Sequence, residues 1–176
     1  MTEVSTICQR ISHADIEKMA RSLHSMKGKL YIIGLGGSLA NAIHMAADLR
    51  KLCRIDAEAF DNIAELTARA NDEGMDTIFT DWVNKSNAWD KLMVLSVGGG
   101  TPIVSKAICN AIDAFQGQIL GIVGPDGGYT AEHGSIVIKI PVENKYYITP
   151  LTEAFQAIVW HCLVSHPLLQ KNETTW

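Results

Sequence analysis

The segment Lys29-Leu30-Tyr31-Ile32-Ile33-Gly34-Leu35-Gly36-Gly37-Ser38 decides the fold. A short, β-branched apolar run that ends in glycine reads as a strand buried on both faces. Its glycine-rich turn leads straight into a helical stretch over residues 39–52. The same grammar returns at Lys91-Leu92-Met93-Val94-Leu95-Ser96, followed by the turn Val97-Gly98-Gly99-Gly100-Thr101 and a helix from 102 to about 115. Pro102 suits the first turn of that helix, where its missing N–H costs nothing, and Gly117 reads as its stop. Outward from these two units, residues 118–123 and 135–140 read as further strands. Residues 57–60 make a weaker one, and two helical pieces follow it up to about 85. Residues 4–26 carry Ile7, Ile11, Ile16, Met19, Ala20 and Leu23 near helical spacing and read as one amphipathic helix. Residues 149–166 form a last helix, ended by Pro167. Strands alternating with helices imply an α/β domain of three layers, a parallel sheet covered by helices on both faces.

Composition narrows the function. A chain of 176 residues fits one domain, residues 1–176, with ample core. Apolar residues make up 47% and charged residues 19%, an apolar balance that points to surface buried between copies, with helix 1–27 as the packing element. Fifteen Lys+Arg against nineteen Asp+Glu leave a net charge of −4, which argues against sequence-independent nucleic-acid binding. The longest apolar runs, 92–97 and 157–164, are far too short for a bilayer, and the first residues lack a signal-peptide pattern. The expected location is the cytoplasm. Cys8, Cys53, Cys109 and Cys162 form no C-x-x-C pair and read as free thiols. The polar tail 170–176 reads as disordered unless Trp176 docks on a neighbouring copy.

In such sheets ligands bind beyond the carboxyl ends of the strands. Two glycine-rich strand–helix turns place unpaired N–H groups and partial positive charge there, which suits an anion. Ser38, Ser96 and Thr101 add hydroxyls. The dinucleotide pattern G-x-G-x-x-G starts at Gly34 and Gly36 but meets Leu39 at its third glycine, and no Gly-Lys-Ser/Thr triplet exists for a P-loop. A smaller phosphorylated ligand is left.

Gly36-Gly37-Ser38, six residues ahead of His44 in a His-x-x-x-acid helix, resembles the phosphoheptose isomerase branch of the sugar isomerase (SIS) domain. The resemblance runs on through Asp61, Ala70-Asn71-Asp72, Ile78-Phe79, the 96–101 turn, Asp126-Gly127-Gly128 and His161, almost the whole chain. It implies a flavodoxin-like sheet in a homotetramer with sites between subunits. The implied reaction is the interconversion of sedoheptulose 7-phosphate and heptose 7-phosphate, commonly with one zinc ion per site. Carried over residue by residue, it implies a phosphate site of Gly37, Ser38, Ser96, Gly98, Gly99, Gly100 and Thr101. It also implies Asp61 near the sugar hydroxyls, Glu153 near the substrate, and a zinc set of His44, Asp48, Glu153 and His161. Asp48 or Glu153 would be the base, His161 the acid–base partner, and Zn²⁺ the polariser of the carbonyl oxygen in a proton transfer through an enediol.

Several positions depart from the family pattern. Asp48 stands for glutamate, Glu153 for glutamine, Leu35 for asparagine and Pro150 for aspartate, and Val97-Gly98 replaces a hydroxyl in the phosphate turn. Glu153 and His161 lie eight residues apart, roughly 12 Å along an unbroken helix, so one ion holds both only if the helix starts late or another subunit contributes. Leu35 and Pro150 leave a different long-chain sugar phosphate open as substrate. A non-catalytic SIS protein is a further alternative, one with no need of the His44/Asp48/Glu153/His161 set. His13, His24, His133 and His166 read as surface residues, and Trp82 and Trp89 as packing between subunits.

Overall fold

Five apolar runs lie side by side in a parallel sheet, in a computed structural model that describes residues 2–174. They are β1 (Leu30–Ile33), β2 (Ala57–Ala59), β3 (Lys91–Ser96), β4 (Gln118–Val123) and β5 (Ile136–Lys139). The order is β2-β1-β3-β4-β5, with Leu30 opposite Ala57 and Lys91, and Ser96 opposite Val123. Side chains that alternate along each strand feed two separate layers. Leu30, Ile32, Met93, Leu95, Leu120 and Ile122 face one layer, whose helices include α3 (Gly37–Cys53) and α8 (Ile148–Val164). Tyr31, Ile33, Leu92, Val94 and Ile119 face the other, together with α5 (Thr80–Val83) and α6 (Lys106–Ala114). The three-layer α/β expectation holds. Strand order reverses between β1 and β3, so the two strands that end in glycine-rich turns flank the switch point.

The helices depart from the sequence reading in instructive places. The N-terminal stretch is two helices, α1 (Thr2–Arg10) and α2 (His13–His24), rather than one. Ser12 divides them: its hydroxyl accepts from the Asp15 N–H at 3.2 Å and caps α2, an alternative to continuing the first helix. Helix α6 begins at Lys106, not at Pro102. The Thr101 hydroxyl accepts the Val104 N–H at 3.0 Å and closes a turn first. That helix ends on Phe115, while Gly117 lies where a Cβ would overlap the Asp90 carbonyl oxygen. Helix α7 (Gly128–His133) is too short to leave a periodic pattern, and α4 (Ile63–Asp72) starts on an Asn62 cap. Residues 171 and 172 are docked, both donating N–H to the Leu52 carbonyl (2.8 and 3.0 Å), which corrects the expectation of a loose tail there. Trp176 lies outside the described residues. Trp82 packs within the chain, edge-on to Tyr31 at 4.9 Å. His166 is a tie between helices, with its Nε2 2.8 Å from Glu17. Among the described residues no helix is long and apolar enough to cross a membrane.

Candidate active site

The turn after β3 offers free backbone donors. Most of its carbonyls are taken: Ser96 and Val97 accept from Gly124, Gly99 from Thr130, Gly100 from Tyr129, and Thr101 from Ser105, while among the described residues nothing donates to the Gly98 carbonyl. The N–H groups of Gly98, Gly100 and Thr101 donate to nothing among the described residues. Three free N–H groups so placed favour an anion. The hydroxyls follow suit, because Ser96 Oγ accepts from Gly99 N at 3.0 Å and Thr101 Oγ1 from Val104 N, which leaves both O–H protons to donate. Gly99 (φ +68°) and Gly100 (φ +87°) occupy the left-handed region that the turn requires. The Gly99 carbonyl also receives the Thr130 hydroxyl at 2.6 Å, so the start of α7 clamps the cradle from below.

Across the switch point, α3 starts at Gly37 with no side-chain cap. Its first N–H groups have no partner within the helix. Ser38 is 2% exposed, yet its hydroxyl meets no hydrogen-bond partner among the described residues. A buried, unpaired hydroxyl is costly unless a ligand completes it. Ser38, Ser96 and Thr101 line one cavity of about 370 Å³ with Leu35 and Val97. Of the phosphate-contact residues read from the sequence, Ser38, Ser96, Gly98 and Thr101 line this cavity, whereas Gly99 and Gly100 are buried within the turn and Gly37 sits exposed at the helix start.

Further along α3, His44 and Asp48 project from one face, Nε2 to Oδ2 3.7 Å. His161 of α8 joins them, and one ligand atom from each of the three lies within 4.8 Å of the others. The His161 Nδ1 pairs with the Ala157 carbonyl at 2.7 Å, which fixes the ring and leaves Nε2 for a ligand. The buried Trp160 ring sits edge-on to His44 (4.7 Å) and braces that side. Two imidazoles and a carboxylate with one open side fit a zinc-type ion after a small contraction.

Glu153 stands apart from this group. Helix α8 runs unbroken through both Glu153 and His161, so the two-turn separation persists within one chain. The Glu153 carboxylate instead packs on Gly37, where a Cβ would overlap it, at the positive end of α3. As a ligand to the same ion, Glu153 is not supported by this chain alone. Asp61 is exposed and lines a different cavity of about 460 Å³, beside Tyr31, Phe60 and Trp82.

Sequence reading missed the link between the two helices. Asn41 Nδ2 donates to the Glu153 carbonyl (2.9 Å) and to Gln156 Oε1 (3.2 Å), and the fully buried Gln156 reaches the Ile122 carbonyl at 3.3 Å. This chain of amides joins α3, α8 and β4 and sets where Ser38 and Glu153 lie. Asn41 and Gln156 fall three residues after Ser38 and Glu153, a helical spacing that could have exposed them. Near the far end of α3, burial pushes the Cys53 thiol up to about 11, with Asp48 adding to the shift.

A doubly wound parallel sheet with free N–H groups at its switch point and a His/Asp/His cluster nearby defines an α/β chain whose site suits an anion. No family model matches the sequence. The phosphoheptose isomerase of Geotalea daltonii is 30% identical over 166 residues, covering 90% of this chain and 82% of that relative. That of Rhodospirillum rubrum is 33% identical over 143 residues, covering 77% and 73%. Among solved structures, phosphoheptose isomerase GmhA from Neisseria gonorrhoeae superposes with a TM-score of 0.79 at 23% identity, covering 92% of this chain and 89% of that one. The chain belongs to the phosphoheptose isomerase family.

Proposed function

We propose that this chain is an aldose–ketose isomerase of a phosphorylated sugar, with sedoheptulose 7-phosphate and heptose 7-phosphate as the pair it interconverts. The observation that carries the reading is the turn at 96–101, with the free N–H groups of Gly98, Gly100 and Thr101, beside the unpaired Ser38 hydroxyl, with the cluster of His44 and Asp48 on α3 and His161 on α8 further along. Six residues of helix separate Ser38 from His44, a rise of about 9 Å. An extended sugar of six carbon–carbon bonds, each about 1.5 Å, spans a similar length, so a phosphate in the cradle puts the carbonyl end near the cluster.

The phosphate is bound by backbone N–H groups and hydroxyls, since neither turn contains Lys or Arg. Asp48 takes a proton from the carbon beside the carbonyl and returns it to the neighbouring carbon. His161, held by Ala157, exchanges the proton on oxygen. Glu153, at the start of α3, receives sugar hydroxyls in the middle of the chain. His44, Asp48 and His161 would hold a zinc ion, which when bound polarises the carbonyl oxygen. Water is excluded by other copies of the chain in a homotetramer. Supporting that assembly, an apolar groove of about 370 Å³ between the N-terminal helices and α8 is lined by Ile11, Ile16, Phe155, Ile158 and Val159. The reaction belongs in the cytoplasm, and neither nucleic acid nor membrane takes part.

The test measures metal content of the purified protein and turnover of sedoheptulose 7-phosphate by wild type and His161→Ala. About one zinc per chain is expected, with both metal and at least 100-fold of turnover lost in the variant. Wild type that carries no metal and turns over no member of a five- to eight-carbon ketose phosphate panel would exclude the enzyme.

A further inference from the structure

A serine just before a helix normally turns its hydroxyl back to accept an N–H of the first turn. Ser12 does so before α2, accepting from Asp15 at 3.2 Å, and the Asn62 amide does the same before α4, accepting from Glu65 at 3.2 Å. Ser105, which precedes α6, caps nothing with its side chain. The Ile108 N–H that a capping hydroxyl would take goes to the Ser105 backbone carbonyl instead, at 3.0 Å. The Ser105 hydroxyl makes no hydrogen bond among the described residues, and the half-buried residue lines the phosphate cavity with Ser38, Ser96 and Thr101. It is tied to the phosphate turn as well, donating its N–H to the Thr101 carbonyl at 3.2 Å. Among the described residues no cation lines this cavity, and the ammonium of the next residue, Lys106, is held by Asp76 at 2.9 Å. Anion binding there depends on N–H groups and hydroxyls alone.

We propose that Ser105 is a phosphate-binding residue, a fourth hydroxyl donor beside Ser38, Ser96 and Thr101. The proposal rests on the placement of the phosphate given above and concerns binding rather than the proton transfer. A phosphate ester presents three strong acceptor oxygens, and Val97 and Gly98 bring no side-chain donor to the cavity. Ser96 and Thr101 reach it from the turn and Ser38 from the start of α3. Ser105 reaches it from the start of α6, at the positive end of that helix. Left out of the cap, its hydroxyl contributes nothing to the ligand-free helix and keeps its proton for a phosphate oxygen.

The experiment compares wild type, Ser105→Ala, Ser105→Thr and Ser12→Ala as full-length proteins, by calorimetric titration with inorganic phosphate and by Tm without phosphate. Wild-type turnover of sedoheptulose 7-phosphate is measured alongside. Ser105→Ala is expected to weaken phosphate binding about ten-fold with Tm unchanged, because the lost bond is to a charged group and no cap is removed. Ser105→Thr keeps the hydroxyl and should bind within about three-fold of wild type. Ser12→Ala removes a working cap and should lower Tm by about 2–4 °C with phosphate affinity unchanged. Phosphate affinity of Ser105→Ala within about two-fold of wild type overturns the proposal. So does a fall in its Tm matching that of Ser12→Ala, which would make Ser105 a cap, or an equal loss of affinity in Ser105→Thr. Turnover by a wild type that does not bind inorganic phosphate overturns the proposal and leaves the isomerase reading standing. The expected loss in Ser105→Ala, with no turnover of any ketose phosphate by wild type, upholds the proposal and removes that reading. A wild type that shows neither binding nor turnover overturns both.

Discussion

Replacing Asp48 by Asn separates the two halves of the site. The substitution keeps the shape of a side chain that is 22% exposed and on the surface of a 17-residue helix, so the fold is retained. Asp48 lies ten residues beyond Ser38, about 15 Å along α3. At that separation two unit charges interact by roughly 0.3 kcal/mol in water, and the distance exceeds the Debye length of about 8 Å at physiological salt. Affinity for inorganic phosphate should change less than about two-fold. The proton transfer, in contrast, loses its base. Removing a positioned general base typically costs about 10²–10⁴ in rate, or roughly 3–5 kcal/mol of barrier. Single-turnover measurements with sedoheptulose 7-phosphate, alongside calorimetric titration with inorganic phosphate, read the two effects separately. Asp48→Asn with more than a tenth of wild-type turnover would take the base role from Asp48. A ten-fold loss of phosphate affinity would show that the cradle and the cluster are not the independent halves described above.

Further outcomes at the glycine turn, Asp90 and Cys53 test the scaffold. Gly99→Ala places a Cβ on the Gly127 carbonyl oxygen at a φ of +68°, so phosphate affinity should fall at least ten-fold and Tm should drop. Gly98→Ala, whose Cβ meets nothing within 4 Å, should leave Tm unchanged by differential scanning fluorimetry. Asp90, 4% exposed, accepts from Lys29 N (2.7 Å), Asn87 N (2.9 Å) and Asn87 Nδ2 (2.8 Å). Asp90→Ala orphans three donors and should cost about 3 kcal/mol, near 6–12 °C in Tm, with phosphate affinity at lower temperature preserved. Cys53, protonated to about pH 11 in the fold and to about 9 in the unfolded chain, should resist alkylation at pH 8 relative to the exposed Cys8 and Cys162. Because the unfolded chain gives up that proton first, the Cys53 contribution to stability should decline as pH rises from about 9 to 11.

Much of the molecule is legible in the sequence because its signals are local. The runs 91–96 and 118–123 are apolar and β-branched and become β3 and β4 with those same ends, since a strand covered on both faces has nothing polar to spare. Gly36-Gly37-Ser38 and the 96–101 turn announce themselves by composition, because glycine readily takes the positive-φ conformations found at Gly36, Gly99 and Gly100. The i,i+4 spacing of His44 and Asp48 likewise fixes their common face before any fold is known. Other features are decided by contacts between distant residues. That the two glycine turns are neighbours follows from the β2-β1-β3-β4-β5 order, which no single segment encodes. His161 reaches His44 only because α8 packs on α3 through Asn41 and Gln156. Glu153 leaves the cluster for Gly37 because an unbroken α8 holds it two turns from His161. The splitting of the first helix at Ser12 and the late start of α6 are contests between a hydroxyl and the helix ladder, worth about 1 kcal/mol each. Periodicity determines which residues face the core, whereas the packing of α3 against α8 determines which polar side chains meet at the switch point.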